Sequence, residues 1–327
     1  MIKMEKKGVF MAILIILVLT LSGCKTTRDE PSEINYRTGT EGLTVTFPTD
    51  TPTELYENDN NVRFIVEVRN KGAFPQNEEI GDFNGKLWIG GYDDSILTIT
   101  PLDSSSIGNG VELKRNELEG KSVYNRDGGY SAVEFKANIN DLPDGMPVYE
   151  PTIIVTATYK YTTIANPIIC VDPEPRSTRV REKVCSIEDS ISVGSQGAPI
   201  AVTRVEESVT SNDFLFKIFI ENLGNGFVIP TTEVGNDPNK GYDWRNTNTV
   251  KRGKISVGDI PMTECRPDIN IQLIDGKGYI FCRLNKGVNS AISEGKTYET
   301  ALNIKLDYGY TTSEEKKIKI FEEVSFS

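Results

Sequence analysis

The chain of 327 residues contains five cysteines and no histidine, which confines its reactive chemistry to thiols, hydroxyls, amines and carboxylates. Without an imidazole there is no Ser-His or Cys-His nucleophile, and no histidine-ligated zinc or copper. Hydrolysis between paired carboxylates and calcium coordination stay open. One thiol, Cys24, closes an apolar run as Leu21-Ser22-Gly23-Cys24. The other four, Cys170, Cys185, Cys265 and Cys282, form an even set, which in an exported chain points to disulfides. Four cysteines allow three pairings. Proximity favours Cys170–Cys185 and Cys265–Cys282, each worth about 3 kcal/mol in the chain-entropy account. The absence of any C-x-x-C pair weighs against zinc.

Binding chemistry has two candidate places. Tyr242 and Trp244 sit in a glycine-rich polar stretch, where displayed rings can stack on a sugar or anchor a partner. Folding back onto the body of the protein is the other reading of the same rings. Between Cys170 and Cys185, Arg176, Arg179, Arg181 and Lys183 outnumber Asp172, Glu174 and Glu182, a net +1 within an acidic chain. Such a stretch can dock an acidic face or an anionic polymer, or can be a solvated loop of mixed charge.

Catalytic patterns are weaker. Ser313-Glu314-Glu315-Lys316 matches the loose S-x-x-K pattern, but it is expected in a turn between strands and lacks its companion motifs. Acidic turns recur without the spacing of a calcium-binding loop, and Asp is an ordinary turn residue. No phosphate-cradling glycine motif occurs. No catalytic residue, metal or cofactor is assigned, and the expectation is a protein that is not an enzyme.

The N-terminus decides where these groups are displayed. Lys3, Lys6 and Lys7 precede an uncharged run from Gly8 to Gly23, which is shorter than the roughly 20 residues that span a bilayer. Small residues before Cys24 make a cleavage site. Leu-Ser-Gly-Cys resembles the lipobox of prokaryotic lipoproteins. That resemblance implies lipidation of Cys24 and a mature chain that starts there, so the partners would begin with the membrane, through the lipid. An uncleaved anchor helix is the alternative. Either way the chain is expected on the extracytoplasmic face of the cell membrane. Removing residues 1–23, with three Lys and one Glu, leaves a charge of −13, which argues against nucleic acid as a partner.

The remainder repeats itself. "YEPTIIVTATYKYTT" at 149–163 aligns without gaps with "YETALNIKLDYGYTT" at 298–312, an offset of 149. "FIVEVRNKG" at 64–72 parallels "FKIFIENLG" at 216–224, an offset of 152. Two segments at nearly one offset indicate two copies of one domain. Each copy is read as all-β, from short alternating runs rich in β-branched and aromatic residues between Gly, Asn, Asp and Pro clusters. The expected organisation is a signal peptide over 1–23, a lipidated tether over 24–39, domains over 40–165 and 199–327, and a disulfide-stapled connector over 166–198.

In both copies an apolar strand face ends in Asn-x-Gly: Phe64, Val66 and Val68 before Asn70 and Gly72, then Phe216, Ile218 and Ile220 before Asn222 and Gly224. This pattern resembles the immunoglobulin-like domains of prokaryotic surface proteins, in particular the CARDB-like type. The resemblance implies two tandem antiparallel β-sandwiches and a non-catalytic role in adhesion or envelope assembly. Another surface protein, a glycan or copies of the chain itself are the partner classes. Two alternatives stand beside this: a filament subunit that adds strands through the terminal "KKIKIFEEVSFS", and a carbohydrate-binding or carboxylate-based glycan-acting protein.

Overall fold

Alternating burial, period two, marks the strands around Phe64, Phe135, Phe216 and Ile280. In β-structure successive side chains face opposite sides, so a run such as Phe64, Val66, Val68 builds one buried face. All three are fully buried, as are Phe214, Phe216, Ile218 and Ile220 in the second copy. The computed structural model describes residues 35–76, 83–102, 110–177, 183–243, 245–288 and 295–323. The leader, Cys24 and most of the tether lie outside the described residues, as do Arg179, Arg181 and Trp244.

The first repeat contributes β1 (Leu43–Thr46), β2 (Glu54–Tyr56), β3 (Asn60–Asn70), β4 (Gly85–Gly90) and β5 (Leu97–Pro101). It continues with β6 (Gly110–Glu112), β7 (Tyr130–Ile139), β8 (Val148–Tyr149) and β9 (Thr152–Ala165). Between the repeats lie β10 (Ile168–Val171) and β11 (Ile191–Ser192). The second repeat supplies β12 (Ile200–Val209), β13 (Asp213–Asn222), β14 (Phe227–Ile229), β15 (Thr249–Val257) and β16 (Ile260–Pro261). It ends with β17 (Glu264–Arg266), β18 (Asn270–Gln272), β19 (Lys277–Asn285), β20 (Tyr298–Lys317) and β21 (Lys319–Phe321).

These strands make an all-β sandwich fold. Outer sheets β1-β3-β7-β5 and β11-β12-β13-β19-β17 belong to the first and second halves. A nine-stranded sheet, β16-β15-β20-β9-β4-β6 with β10, β14 and β18 alongside, takes strands from both. Its centre is the β9–β20 pair, in register from Thr152↔Lys317 to Ala165↔Ile304. Lys160 faces Gly309, the residue 149 positions on, so the pairing has a local two-fold axis at that point. From Asn35 onward the chain is one compact unit.

Four tyrosines on these two strands tie the layers together. Tyr159 pairs with Tyr310 and Tyr161 with Tyr308, all essentially buried. Tyr159 Oη accepts from Leu43 N–H (3.0 Å) and bonds Thr312 Oγ1 (3.1 Å). The two-fold mate, Tyr308 Oη, accepts from Ile200 N–H (3.3 Å) and bonds Thr163 Oγ1 (2.9 Å). Buried hydroxyls need such partners. Burial holds the phenols of Tyr159, Tyr161 and Tyr308 far above their ordinary pKa, and pushes Tyr310 up to about 12.

Several expectations change in the structure. The segments that follow the Asn-x-Gly ends carry strands: β4 pairs with β9, and β14 and β15 pair with β20. The apolar β9 and β20 need neighbours on both edges, and these segments supply them. Residues Ser313 to Lys316 are strand rather than turn, bonded in register to Thr156 through Ile153. The start of the connector continues β9 as β10 along β20. The terminal strand is no open edge: β21 lies between β2, parallel, and β8, antiparallel.

Candidate functional site

The outward face of the second outer sheet carries side chains that a solvated strand would not choose. Along β13 and β19 the outward residues meet in register as Lys217↔Phe281 and Phe219↔Tyr279. Arg204 of β12 extends one row, Arg204–Phe219–Tyr279. Arg266 of β17 extends the other, Lys217–Phe281–Arg266. Tyr279 is 55% exposed and Phe281 41%. Beside them stands Ile274, 72% exposed, in the turn before β19.

Cations are interleaved with the rings. Lys217 Nζ lies 4.8 Å from the ring centroids of both Phe219 and Tyr279, and Arg204 Cζ lies 3.9 Å over Phe219. Contacts of this kind contribute about 0.5–1 kcal/mol each at exposed positions. A groove of 800 Å³ is lined by Ile271, Ile274, Tyr279 and Phe281 together with the cations Lys217, Arg266 and Lys277. No carboxylate lines it. The nearest acids are engaged: Glu206 with Arg204 (3.2 Å), Glu221 with Lys277 (3.8 Å), Glu264 with Arg283 Nε (2.7 Å). Lys217 and Arg266 make no ion pair among the described residues, and Arg266 Nη1 donates to the Cys265 carbonyl at 3.0 Å.

The Cys265–Cys282 disulfide sets the position of Arg266. The two residues face each other across β17 and β19, fully buried, one step from the Arg266–Phe281 pair. A three-residue edge strand has little pairing of its own, and the covalent link holds it to β19.

Comparison of the repeats shows that this face is not a requirement of the fold. The register of β3 with β7 matches that of β13 with β19, residue for residue. Where the second repeat has Lys217–Phe281, the first has Ile65–Glu134; where it has Phe219–Tyr279, the first has Glu67–Ala132. In the first repeat Glu134 pairs with Arg63 at 3.2 Å, an ordinary solvated arrangement. The first repeat is not free of such groups, since Ile65 and Tyr130 are exposed there and Arg69 Cζ lies 5.7 Å from the Tyr130 ring, but one backbone carries a mixed face in the first repeat and a face with more rings and cations in the second. Exposed apolar groups gathered in a patch mark interaction surfaces, whereas scattered ones do not.

No family model and no curated protein matches this chain. Among solved structures it is similar to the C-terminal domain of the AgI/II polypeptide BspA of Streptococcus agalactiae, at 10% identity. That match covers 86% of this chain and all of the other, with a TM-score of 0.19. So low a score carries no weight for fold or function.

The site residues read from the sequence fall elsewhere. Tyr242 folds back: its ring meets Phe227 edge-on at 6.1 Å, and its buried hydroxyl has no hydrogen-bond partner among the described residues. Burial, with Glu233 and Asp237 nearby, pushes its pKa up to about 12. Lys183 bonds the buried Asp172 at 2.6 Å and the Glu174 carbonyl at 2.8 Å, so it holds the connector closed. Arg176 stays exposed, beside a shallow groove near Thr210 and Lys286. The connector disulfide is Cys170–Cys185. Asp93 and Asp237 accept backbone N–H groups two residues on, at 2.9 and 3.0 Å, as turn residues do. No cluster of three metal-ligating side chains occurs among the described residues.

Two features escaped the sequence reading. One is the aromatic face. The other is Glu207 on β12, 3% exposed, with neither carboxylate oxygen hydrogen-bonded among the described residues. Burial pushes its pKa up to about 8.

Proposed function

We propose that the protein is a lipid-anchored cell-surface binding protein, non-catalytic, that engages a component of the cell envelope or a surface partner through the outward face of β13, β19 and β17. Lipidated Cys24 is the membrane attachment in this reading, and the repeats are the displayed body. The leader and the small residues before Cys24 support the anchor, and two disulfides suit an oxidising exterior. A contact role in adhesion or envelope assembly fits a face of rings on a rigid sheet with two cations, Lys217 and Arg266, that make no ion pair among the described residues. The observation that carries it is the difference between equivalent faces: Lys217, Phe219, Tyr279 and Phe281 stand where the first repeat has Ile65, Glu67, Ala132 and Glu134.

The same equivalence supplies the test. Lys217→Ile, Phe219→Glu, Tyr279→Ala and Phe281→Glu together give the second repeat the outward residues of the first. Those residues already occupy this geometry, so folding is retained. The chain from Lys25 onward, which lacks both the leader and the lipid attachment, is co-sedimented with envelopes from the producing cells. The expected result is binding by the natural chain and its loss in the fourfold variant, with an unchanged unfolding transition. Equal binding by both would remove this face from the function.

A further inference from the structure

The composition of the groove selects the chemical class of its ligand. Phe281 is flanked in one row by Lys217 and Arg266, the two cations of this face without an ion pair among the described residues. They stand in a chain with a net charge of −11, and the neighbouring acids Glu206, Glu221 and Glu264 are each paired with another cation. A cationic island in such a chain attracts negative charge locally and disfavours a basic partner. Tyr279 and Phe281 are exposed at the sheet surface, with Lys217 Nζ 4.8 Å from the Tyr279 ring centroid. The apolar C–H face of a sugar ring stacks on such a surface while its hydroxyls stay in water. Asn270, exposed at the margin of the groove, adds an amide with both donor and acceptor. A guanidinium presents a planar fork that matches a carboxylate, and a lysine presents a point charge.

We propose that this groove binds an acidic polysaccharide, with a sugar ring on Phe281 and Tyr279 and its carboxylates on Arg266 and Lys217. The proposal rests on the reading that this face is the binding surface, and names its ligand class. Neutral glycans would satisfy the rings and leave the two cations unmatched. A plain polyanion would satisfy the cations and leave the rings uncovered. The acidic polysaccharide satisfies both.

The test uses full-length protein and three probes: polygalacturonate, dextran and polyglutamate, titrated by calorimetry. Polygalacturonate is expected to bind at least about ten-fold more tightly than either control, a difference of about 1.4 kcal/mol. Phe281→Ala, and separately Lys217→Gln with Arg266→Gln, are each expected to weaken it by about ten-fold, with the unfolding midpoint unchanged. Added salt should weaken binding in the natural chain and leave little further effect in the Lys217→Gln, Arg266→Gln variant. Equal binding of dextran overturns the acidic class. Equal binding of polyglutamate shows charge alone and overturns the role of the rings. If no probe binds while envelopes are still captured through this face, the ligand class is wrong and the binding surface stands. If envelope capture also ignores the fourfold exchange, the surface itself is wrong.

Discussion

Tyr161 and Tyr310 hold two copies of one turn. The hydroxyl of Tyr161 accepts from Phe74 N–H at 3.2 Å, and that of Tyr310 accepts from Gly226 N–H at 2.9 Å. Each of those amides lies four residues beyond the Asn of an Asn-x-Gly turn. Asn70 Nδ2 donates to the Phe74 carbonyl (2.8 Å) and Asn222 Nδ2 to the Gly226 carbonyl (2.9 Å). The Oδ1 atoms accept from Gly72 and Gly224 in the same way, at 3.0 and 3.2 Å. A Cβ on Gly72 would collide with Tyr161 Oη, and one on Gly224 with Tyr310 Oη. Each repeat thus ends its long strand with a side chain that replaces the lost ladder, locked from behind by a tyrosine.

That arrangement sets the cost of its removal. Asn70 is fully buried and also donates to the Leu118 carbonyl at 2.9 Å. Asn70→Ala leaves buried backbone groups unsatisfied and is expected to cost about 3 kcal/mol or more; Asn222, less buried, about 1–2 kcal/mol. Urea unfolding of the two variants checks the order. A smaller loss at Asn70 than at Asn222 would contradict it.

Glu207 gives stability a pH dependence. Its folded pKa of about 8 lies above the ordinary 4.5, so the folded chain holds the proton more tightly. The stabilisation by the neutral acid is complete below 4.5 and is lost as pH rises through about 8. Linkage puts the ceiling of that loss at about 5 kcal/mol. Glu207→Gln should flatten the fall in stability between about pH 5 and about pH 8, measured by denaturant unfolding at each end. Parallel pH profiles for variant and natural chain would show that Glu207 is ionised in the folded state.

The Cys265–Cys282 link should matter more to binding than its stability contribution suggests. Replacing both by Ala is expected to cost about 3 kcal/mol. It should also release β17, and with it Arg266, from the edge of β19. Hydrogen exchange at residues 264–266 is expected to rise while β13 stays protected. Unchanged exchange there would show that pairing alone holds the strand.

Much of the fold is legible in the sequence, because its signals are local. The alternation in "FIVEVRN" and the gapless repeat of "YKYTT" and "YGYTT" name the strands that become β3, β9 and β20. What the repeat does not reveal is that β9 and β20 pair with each other, since partner choice is a long-range property. Ser313 to Lys316 read as a turn because charged residues usually mark one; β9 supplies the partners that keep them in the strand. The aromatic face left a signal in the sequence: "FLFKIFIEN" is apolar on both faces where "FIVEVRN" alternates. A ring in a glycine-rich stretch has two readings in sequence, display or folding back, and the contact of Tyr242 with Phe227 is a long-range one that sequence does not show.

The most direct measurement of the binding claim is hydroxyl-radical footprinting of the full-length protein with and without envelope material. Protection is expected at Phe219, Tyr279 and Phe281, and none at Ile65 and Tyr130, which lie on the corresponding face of the first repeat. Protection of the first repeat, or no change at Tyr279 and Phe281, would contradict the account.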